Sequence, residues 1–255
     1  MKALLWDVDG TLAETERDGH RVAFNLAFEA LGLPWRWDEV HYGRLLAITG
    51  GRERLLHDMQ SRSDAPALSQ QREALAAELH ARKNAHYAQL VRQGMPLRPG
   101  VRELLDEGAA DGVRMAITTT TSRSNVDALL GAHFGPRWAG RFDAVVCGED
   151  VQRKKPDPEV FERALQRLRL GPLEALALED SPGGVAAARA AHVPVLVTLS
   201  AYFEGATLEG AVAIGPGLHR RDGWRPALPD PGEGRITLRD LQHWHALADS
   251  VSQYA

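Results

Sequence analysis

The chain has 255 residues, of which 44% are hydrophobic and 25% are charged, as expected for a globular protein with one large domain or a domain with an insertion. Its net charge of -4 argues against a role on nucleic acid or on a membrane surface, which usually needs a basic patch. A single cysteine, Cys147, excludes an internal disulfide, and the absence of a membrane-length apolar run or a targeting pattern predicts a cytoplasmic protein, expected to be a monomer.

The first predicted element is a buried strand over residues 3–8, which ends at the turn of Gly10 and Thr11. Two carboxylates, Asp7 and Asp9, lie at its exit. Because side chains alternate along a strand, both can face the same side. Their charges repel each other unless a cation, a proton or developing positive charge offsets them. On these residues alone, a catalytic site and a polar turn with a helix-capping Asp are equally supported.

The next stretch, residues 15–95, is predicted to be entirely helical. Apolar residues recur at helical spacing, and Gly32-Leu33-Pro34 ends the first helix. Asp38 is a suitable N-cap for the second helix. Helices are expected over residues 17–31, over residues 38–46, after the mobile turn of Gly50 and Gly51, and over residues 69–93.

After Pro96 the pattern changes to an alternation of strands and helices. This order indicates an α/β fold with a parallel sheet and helices on both faces, which the strand over residues 3–8 completes. The α/β domain is therefore discontinuous, with residues 1–14 and 96–255 on either side of the helical insertion. Strands are predicted over 113–118, 142–147, 175–178 and 193–199, helices over 100–110, 125–130, 158–168, 183–191 and 238–247, and an irregular surface loop over 220–234.

Polar residues follow the carboxyl ends of the predicted strands, where open parallel sheets bind ligands. Hydroxyls from Thr118 to Ser122 follow the second strand, Lys155 follows the third, and the acidic pair Glu179 and Asp180 follows the fourth. Each has a structural alternative, since hydroxyls can cap a helix, a lysine is usually solvated, and an acidic pair can belong to a loop. Their common position at one edge of the sheet favours a single site.

The combination suits phosphoryl transfer. Asp7, the backbone carbonyl of Asp9 and the carboxylate of Asp180 offer the hard oxygen ligands that Mg2+ prefers. Thr119 can donate a hydrogen bond to a phosphoryl oxygen, and Lys155 can supply positive charge as the transition state forms. Asp7 can attack phosphorus to form an aspartyl-phosphate. Asp9 can protonate the leaving oxygen and later take a proton from water.

The chain resembles the haloacid-dehalogenase (HAD) superfamily of phosphohydrolases, subfamily IA, whose motifs match Asp7-Val8-Asp9-Gly10-Thr11, Thr119, Lys155-Pro156 and Glu179-Asp180. The resemblance implies a Rossmann-like core with a parallel sheet, and makes the helical insertion over residues 15–95 a small, mobile C1 cap. It also implies roles for the motif residues: Asp7 as nucleophile, Asp9 as acid and base, Thr119 and Lys155 as ligands of the transferred phosphoryl group, and Asp7, Asp9, Glu179 and Asp180 around Mg2+.

Within the superfamily the chain is most similar to the CbbY group, over residues 14–21, 49–54, 119–125 and 179–184. That group includes phosphatases of xylulose-1,5-bisphosphate, an inhibitory by-product of Rubisco. The resemblance implies Mg2+-dependent hydrolysis to xylulose 5-phosphate, which returns to the Calvin cycle, with the sugar phosphate as the binding partner. The group often carries Lys where this chain has Arg52, and an arginine can still bind phosphate bidentately.

A bisphosphate substrate needs donors for its second phosphate and for its sugar hydroxyls. His20 could equally be a packing residue, and Arg54 is expected to be a solvated charge. Closure of the cap would exclude water from phosphoryl transfer and carry specificity. The predicted substrate-binding residues are Glu16, His20, Tyr42, Gly50, Gly51, Arg52, Thr120, Ser122, Arg123 and Asn125.

Two other functions stay open. A β-phosphoglucomutase-like isomerase shares the core and the cap, and would retain the phosphoaspartate long enough to phosphorylate a sugar again; the cap segments favour hydrolysis. A non-catalytic sugar-phosphate sensor would be expected to have lost a nucleophile or a metal ligand. Asp7, Asp9, Lys155 and Asp180 are all present, which disfavours a sensor.

Overall fold

The computed structural model describes residues 1–230 and 232–252. Within them, six strands form one parallel sheet in the order β3-β2-β1-β4-β5-β6, and the predicted α/β fold is confirmed. The strands are β1 (Ala3–Trp6), β2 (Arg114–Thr118), β3 (Ala144–Val146), β4 (Ala175–Glu179), β5 (Val195–Thr198) and β6 (Ala213–Gly215).

The central strand β1 lies in the core of the protein. All four of its residues are fully buried, because β2 and β4 pair with its two edges and helices cover both faces of the sheet. An apolar run buried on both faces is typical of parallel sheets. The chain leaves β1 at the carboxyl edge of the sheet, between β2 and β4, so residues that follow these three strands come together there.

Helices account for the rest of the regular structure. The chain between β1 and β2 is helical, as the sequence predicts, and begins with a π-helical turn over Glu16–His20. The helices are α1 (Arg21–Ala30), α2 (Glu39–Leu45), α3 (Gly51–Ser61), α4 (Ser69–Arg92), α5 (Val101–Ala110), α6 (Arg123–Phe134), α7 (Glu159–Leu168), α8 (Pro182–Ala190) and α9 (Leu238–Ser252).

Helices α1 to α4 have an apolar core of their own, which we call the cap core. Phe24 and Phe28 of α1 pack on Trp37, with ring centroids 4.7 and 5.1 Å apart, and Tyr42 and Leu55 complete the buried cluster. A separate core is what the cap prediction requires of residues 15–95, although the exact boundaries at 14/15 and 95/96 stay predictions.

Two features of the C-terminal part were not predicted. One is the strand β6, which has only three residues, too few for a periodic pattern to reveal it. The stretch 220–234, of which residue 231 lies outside the described residues, is irregular and mostly exposed, as predicted, but it also carries a buried tryptophan. Trp224 is 3% exposed and stacks on Trp244 of α9, with ring centroids 4.6 Å apart, so this stretch covers one face of the sheet. No helix in the described residues has both the length and the hydropathy of a membrane span.

Candidate active site

Lys155 is a buried cation at the carboxyl edge of the sheet. Its Nζ donates to Oδ1 of Asp7 at 2.7 Å, to the backbone carbonyl of Thr118 at 2.8 Å and to Oε1 of Glu179 at 2.5 Å. An ammonium group has three N–H donors, so each has a partner. Lys155 is 5% exposed, and the alternative of a solvated lysine is wrong.

Three buried carboxylates lie together at this edge of the sheet, and two of them, Asp7 and Glu179, contact the lysine. Oxygen atoms of Asp7, Glu179 and Asp180 all lie within 4.8 Å of one another. Burial raises the pKa of Asp7 well above its ordinary value; the charge of Lys155 opposes this rise, and the charges of Glu179 and Asp9 add to it. Burial and the charge of Asp7 also raise the pKa of Asp180 well above its ordinary value.

These carboxylates fit a divalent cation. The cluster holds three carboxyl groups and only one lysine, and Oε2 of Glu179 is buried without a hydrogen-bond partner. Carboxylate oxygens are the ligands that Mg2+ prefers, and a cation among them would offset their repulsion and restore their ordinary ionisation.

Asp9 lies apart from that carboxylate cluster. Its Oδ1 accepts hydrogen bonds from Oγ1 of Thr15 at 2.6 Å and from Nε2 of His20 at 2.9 Å. Burial opposes the ionisation of Asp9, but the charge and hydrogen bond of His20, with the hydrogen bond of Thr15, hold the pKa of Asp9 below its ordinary value. His20 also stacks on Tyr87, with centroids 4.2 Å apart, so it both packs and faces the site.

Asp180 is held by a residue that no motif contains. Its Oδ2 accepts a hydrogen bond from Oγ of Ser200 at 2.6 Å. Gly10, with a φ of +85°, passes so close that a Cβ there would lie 2.0 Å from the same oxygen. Only glycine fits this approach in this backbone conformation.

The residues that follow β2 have polar side chains, and most of these already make hydrogen bonds with one another or with the backbone. Thr119 is buried, and its Oγ1 accepts a hydrogen bond from the backbone N–H of Thr121 at 3.3 Å. Ser122 is the N-cap of α6 but makes no capping hydrogen bond with its side chain. Asn125 donates to Oγ1 of Thr121 at 3.1 Å, while its Oδ1 is buried without a partner. The side-chain oxygen of Asn125 is therefore available to a ligand, whereas the hydroxyl of Ser122 lies 3.1 Å from that of Ser124.

Two cavities meet above these residues, and both reach Asp9, Glu16, Arg54 and Thr120. The larger, of about 520 Å³, contains Asp7, Thr119, Lys155 and Asp180. The smaller, of about 190 Å³, lies between helices α1, α3 and α4 and the loops after β2 and β3. It contains these predicted residues: Glu16, His20, Gly50, Gly51, Arg52, Thr120, Ser122 and Asn125.

Two predicted substrate-binding residues do not line either cavity. Arg123 lies in the first turn of α6, where its guanidinium pairs with Asp127 at 3.3 Å and covers the ring of Trp138. Tyr42 lies behind the cavities, where its hydroxyl donates to Oε2 of Glu16 at 2.5 Å. Burial and the charge of Glu16 raise the pKa of Tyr42 well above its ordinary value.

Arg54 is not a solvated charge, so that expectation is wrong. It is 8% exposed, and it donates to Glu16 at 3.2 and 3.3 Å and to the hydroxyl of Tyr42 at 3.0 Å. Because α3 begins at Gly51, Arg54 lies in its first turn on the same face as Leu55 and Asp58, which are buried. It fixes Glu16 at the junction of the two cavities.

Lys83 of α4 is a site residue that the sequence analysis missed. It is 3% exposed and lines the smaller cavity, and its one hydrogen bond among the described residues goes to Oδ1 of Asn84 at 3.3 Å. Burial lowers the pKa of Lys83 to about 8, against the opposing charges of Asp9 and Glu16. A signal was present: Lys83 continues the buried face of Leu79 at helical spacing.

The other long cations of the smaller cavity are already paired. Arg52 is half-exposed and binds Glu73 at 2.5 Å. Lys154, another residue that the motifs do not contain, binds Oε1 of Glu53 at 2.6 Å, an ion pair that joins α3 to the loop before Lys155. Among the described residues that line this cavity, Lys83 is therefore the long cation that has no carboxylate partner.

Comparisons with known proteins point to one family. Residues 1–192 match the model of the haloacid dehalogenase-like hydrolases. The plasmid-encoded protein CbbY of Cupriavidus necator is 41% identical over 249 residues, which cover 96% of this chain and 97% of that protein. Protein CbbY of Rhodobacter capsulatus is 46% identical over 206 residues, which cover 80% of this chain and 88% of that protein.

A solved structure agrees with these relatives. It is the crystal structure of a point variant of CbbY from Rhodobacter sphaeroides in complex with xylulose-1,5-bisphosphate. The two folds superpose with a TM-score of 0.76 at 39% sequence identity, over 83% of this chain and 92% of that chain.

Proposed function

The chain belongs to the haloacid dehalogenase-like hydrolases and is a phosphatase of the CbbY group, and on that premise we propose that it hydrolyses xylulose-1,5-bisphosphate with Mg2+ as its cofactor. The products would be xylulose 5-phosphate and phosphate. The observation that carries the proposal is the pair of cavities that meet at Asp9, Glu16, Arg54 and Thr120. A related CbbY binds this sugar bisphosphate.

Each cavity has one feature that suits a phosphate. The larger ends at Asp7 and Lys155, 2.7 Å apart, where a phosphoryl group would meet a carboxylate nucleophile and a cation. The smaller has Lys83, whose buried charge has no carboxylate partner, and the hydroxyl and amide groups of Ser122 and Asn125. A substrate with a phosphate at each end would fill both cavities and place its sugar beside Glu16.

In the proposed mechanism, Asp7 attacks phosphorus and forms an aspartyl-phosphate. Lys155 and Thr119 hold the transferred phosphoryl group, and Asp7, Glu179 and Asp180 with the backbone carbonyl of Asp9 would hold Mg2+. When bound, Mg2+ would neutralise charge shared by the carboxylates and the phosphate.

Asp9 carries the protons in this mechanism. It would give one to the leaving sugar oxygen, which requires that it take up a proton as substrate binds. It would then take a proton from the water that hydrolyses the aspartyl-phosphate. This step needs the ionised form of Asp9, which His20 and Thr15 stabilise by lowering its pKa.

The experiment is phosphate release over a panel of sugar phosphates, with Mg2+ and with EDTA. The panel includes xylulose-1,5-bisphosphate, ribulose-1,5-bisphosphate and β-glucose 1-phosphate. We expect a Mg2+-dependent kcat/KM that is much larger for xylulose-1,5-bisphosphate than for the other compounds, with ribulose-1,5-bisphosphate left intact. Maintenance of Rubisco in the cytoplasm would need this selectivity. Weak and equal rates on all compounds would contradict xylulose-1,5-bisphosphate as the substrate. Conversion of β-glucose 1-phosphate without release of phosphate would indicate a phosphosugar mutase.

A further inference from the structure

A short turn after β5 connects the carboxylate cluster to the cap core. We call residues 200–203 the bridging turn. It is closed by a hydrogen bond from the backbone N–H of Phe203 to the carbonyl of Ser200 at 3.1 Å. Its first residue contacts a carboxylate of the cluster, and its last two contact the cap core.

The first residue of the turn holds Asp180. Ser200 is 5% exposed, and its hydroxyl lies 2.6 Å from Oδ2 of Asp180. Because Gly10 also passes close to this oxygen, with 2.0 Å from it to an added Cβ, the serine and the glycine together limit where the carboxylate can lie. A carboxylate that accepts an ordered hydrogen bond is oriented for a metal ion.

The backbone before the turn is anchored at the base of the cap. Arg98, which follows α4, donates to the backbone carbonyls of Gly10, Thr198 and Leu199, the last at 2.6 Å. It also lies 3.5 Å from Glu14, at the other chain connection between β1 and the cap helices. One guanidinium therefore joins both connections to the strand end that carries Ser200.

The rest of the turn packs on the cap. Tyr202 lies against Tyr42 of α2, with centroids 5.8 Å apart, and against Gly43, where an added Cβ would lie 3.2 Å from its ring. Phe203 packs on the cap core and lines the larger cavity. A movement of the cap relative to the sheet would therefore act on the turn that carries Ser200.

We propose that Ser200 is a positioning residue for the metal ligand Asp180, and that Tyr202 makes the position of Ser200 depend on the cap. Metal binding and the closed cap then favour one another, because both require the same arrangement of the bridging turn. This inference rests on the proposed function, since it takes Asp180 to be a ligand of Mg2+.

The test is the Kd of the whole protein for Mg2+, measured by isothermal titration calorimetry without substrate. Ser200→Ala is expected to weaken Mg2+ binding about tenfold, as loss of a partner that orients a ligand does. Ser61→Ala is the matched control, because it removes a hydroxyl bound to a carbonyl within α3. A Kd for Ser200→Ala within about twofold of the wild-type Kd would overturn the proposal.

A double-mutant cycle tests the connection to the cap. Tyr202→Ala is expected to weaken Mg2+ binding about threefold in the presence of Ser200, and to have no effect in the Ser200→Ala background. Tyr202→Leu, which keeps most of the bulk, covers the case in which Tyr202→Ala does not fold, and Phe134→Ala controls for loss of an aromatic ring elsewhere. Equal weakening in both backgrounds would overturn the connection.

The two proposals can fail separately. If wild-type protein binds Mg2+ and all variants bind it equally, only the inference about the bridging turn is overturned. If wild-type protein does not bind Mg2+ at all, both the cofactor and the inference are overturned.

Discussion

The ammonium group of Lys155 lies 2.7 Å from Oδ1 of Asp7, and both side chains are buried. The lysine follows β3 and the aspartate follows β1, so this contact joins two loops that are 148 residues apart in sequence. Burial raises the pKa of Asp7, and Lys155 opposes that rise. The lysine therefore favours the ionised form that a nucleophilic carboxylate requires.

Asp7→Asn is expected to abolish turnover, because the amide is a poor nucleophile. Phosphate release from xylulose-1,5-bisphosphate should fall roughly 1000-fold or more, while the circular dichroism spectrum stays that of the wild type. Asp127→Asn is the control, since Asp127 is an exposed partner of Arg123 outside both cavities. Substantial phosphate release by the pure Asp7→Asn variant would refute the aspartyl-phosphate mechanism.

Mg2+ is expected to stabilise the fold, because it binds a cluster of carboxylates that forms only in the folded chain. At 100 times its Kd the gain is about 2.7 kcal/mol, or roughly 5–10 °C in Tm for a chain of this size. The measurement is thermal unfolding with MgCl2 and with EDTA. Asp180→Asn should reduce the shift, and an unchanged shift in that variant would place the metal elsewhere.

The same carboxylates make this stabilisation depend on pH. Burial raises the pKa of Asp7 and Asp180 in the folded chain, so the folded chain binds their protons more tightly than the unfolded chain does. Without metal, the free energy of unfolding therefore falls as pH rises from about 4, the unfolded carboxyl pKa, towards the folded values. Since Mg2+ displaces these protons, its effect on Tm should be larger at about pH 8 than at about pH 5. An equal rise in Tm at both pH values would contradict the assignment of Asp7 and Asp180 as ligands of Mg2+.

Much of the site followed from strand order. The residues after β1, β2, β3 and β4 are predicted to meet because parallel strands share a carboxyl edge, and Asp7, Lys155, Glu179 and Asp180 do lie together. Local periodicity was enough to find these strands, since each is short, apolar and followed by polar residues.

The missed features depend on tertiary packing. Lys83 and Arg54 have the sequence character of solvated residues, and only their places on buried helix faces reveal otherwise. Ser200 has no motif around it, because its role depends on a contact with Asp180 from a different loop. Tertiary contacts of this kind cannot be read from a local pattern.

Arg54→Ala is expected to destabilise the protein, because it leaves the carboxylate of Glu16, whose side chain is only 14% exposed, without its cation. Breaking a buried ion pair costs about 3 kcal/mol, which urea unfolding can measure. The control is Arg82→Ala, whose exposed pair with Glu78 should contribute less than about 1 kcal/mol. If both variants lose the same stability, Arg54 behaves as a surface charge; partial recovery in an Arg54→Ala, Glu16→Gln double variant would support the pair.

Arg52→Ala is expected to weaken bisphosphates more than monophosphates. The guanidinium lines the smaller cavity, but it is half-exposed and already binds Glu73, so a loss of about tenfold or less in kcat/KM for xylulose-1,5-bisphosphate is expected. Glu73→Gln is the control, since it frees Arg52 without removing it. An equal loss on mono- and bisphosphates would reject Arg52 as a ligand of the second phosphate.

Lys83→Met is expected to lower activity on a bisphosphate and to raise stability. Methionine keeps the length of the side chain and removes a buried charge that no carboxylate of the described residues pairs with. The Tm should therefore rise, most clearly below about pH 8, where Lys83 carries its proton. Lys2→Met removes an exposed lysine far from the cavities and should change neither quantity. A fall in both Tm and activity would indicate a structural role.

The pH profile separates the charge of Lys83 from its packing. In the wild type, kcat/KM for the bisphosphate should fall as pH rises through about 8, because Lys83 then loses the charge that attracts phosphate. In Lys83→Met this alkaline limb should disappear, leaving kcat/KM low and flat over the same interval. The same limb in both proteins would mean that another group titrates there, and that the buried charge of Lys83 does not bind the substrate.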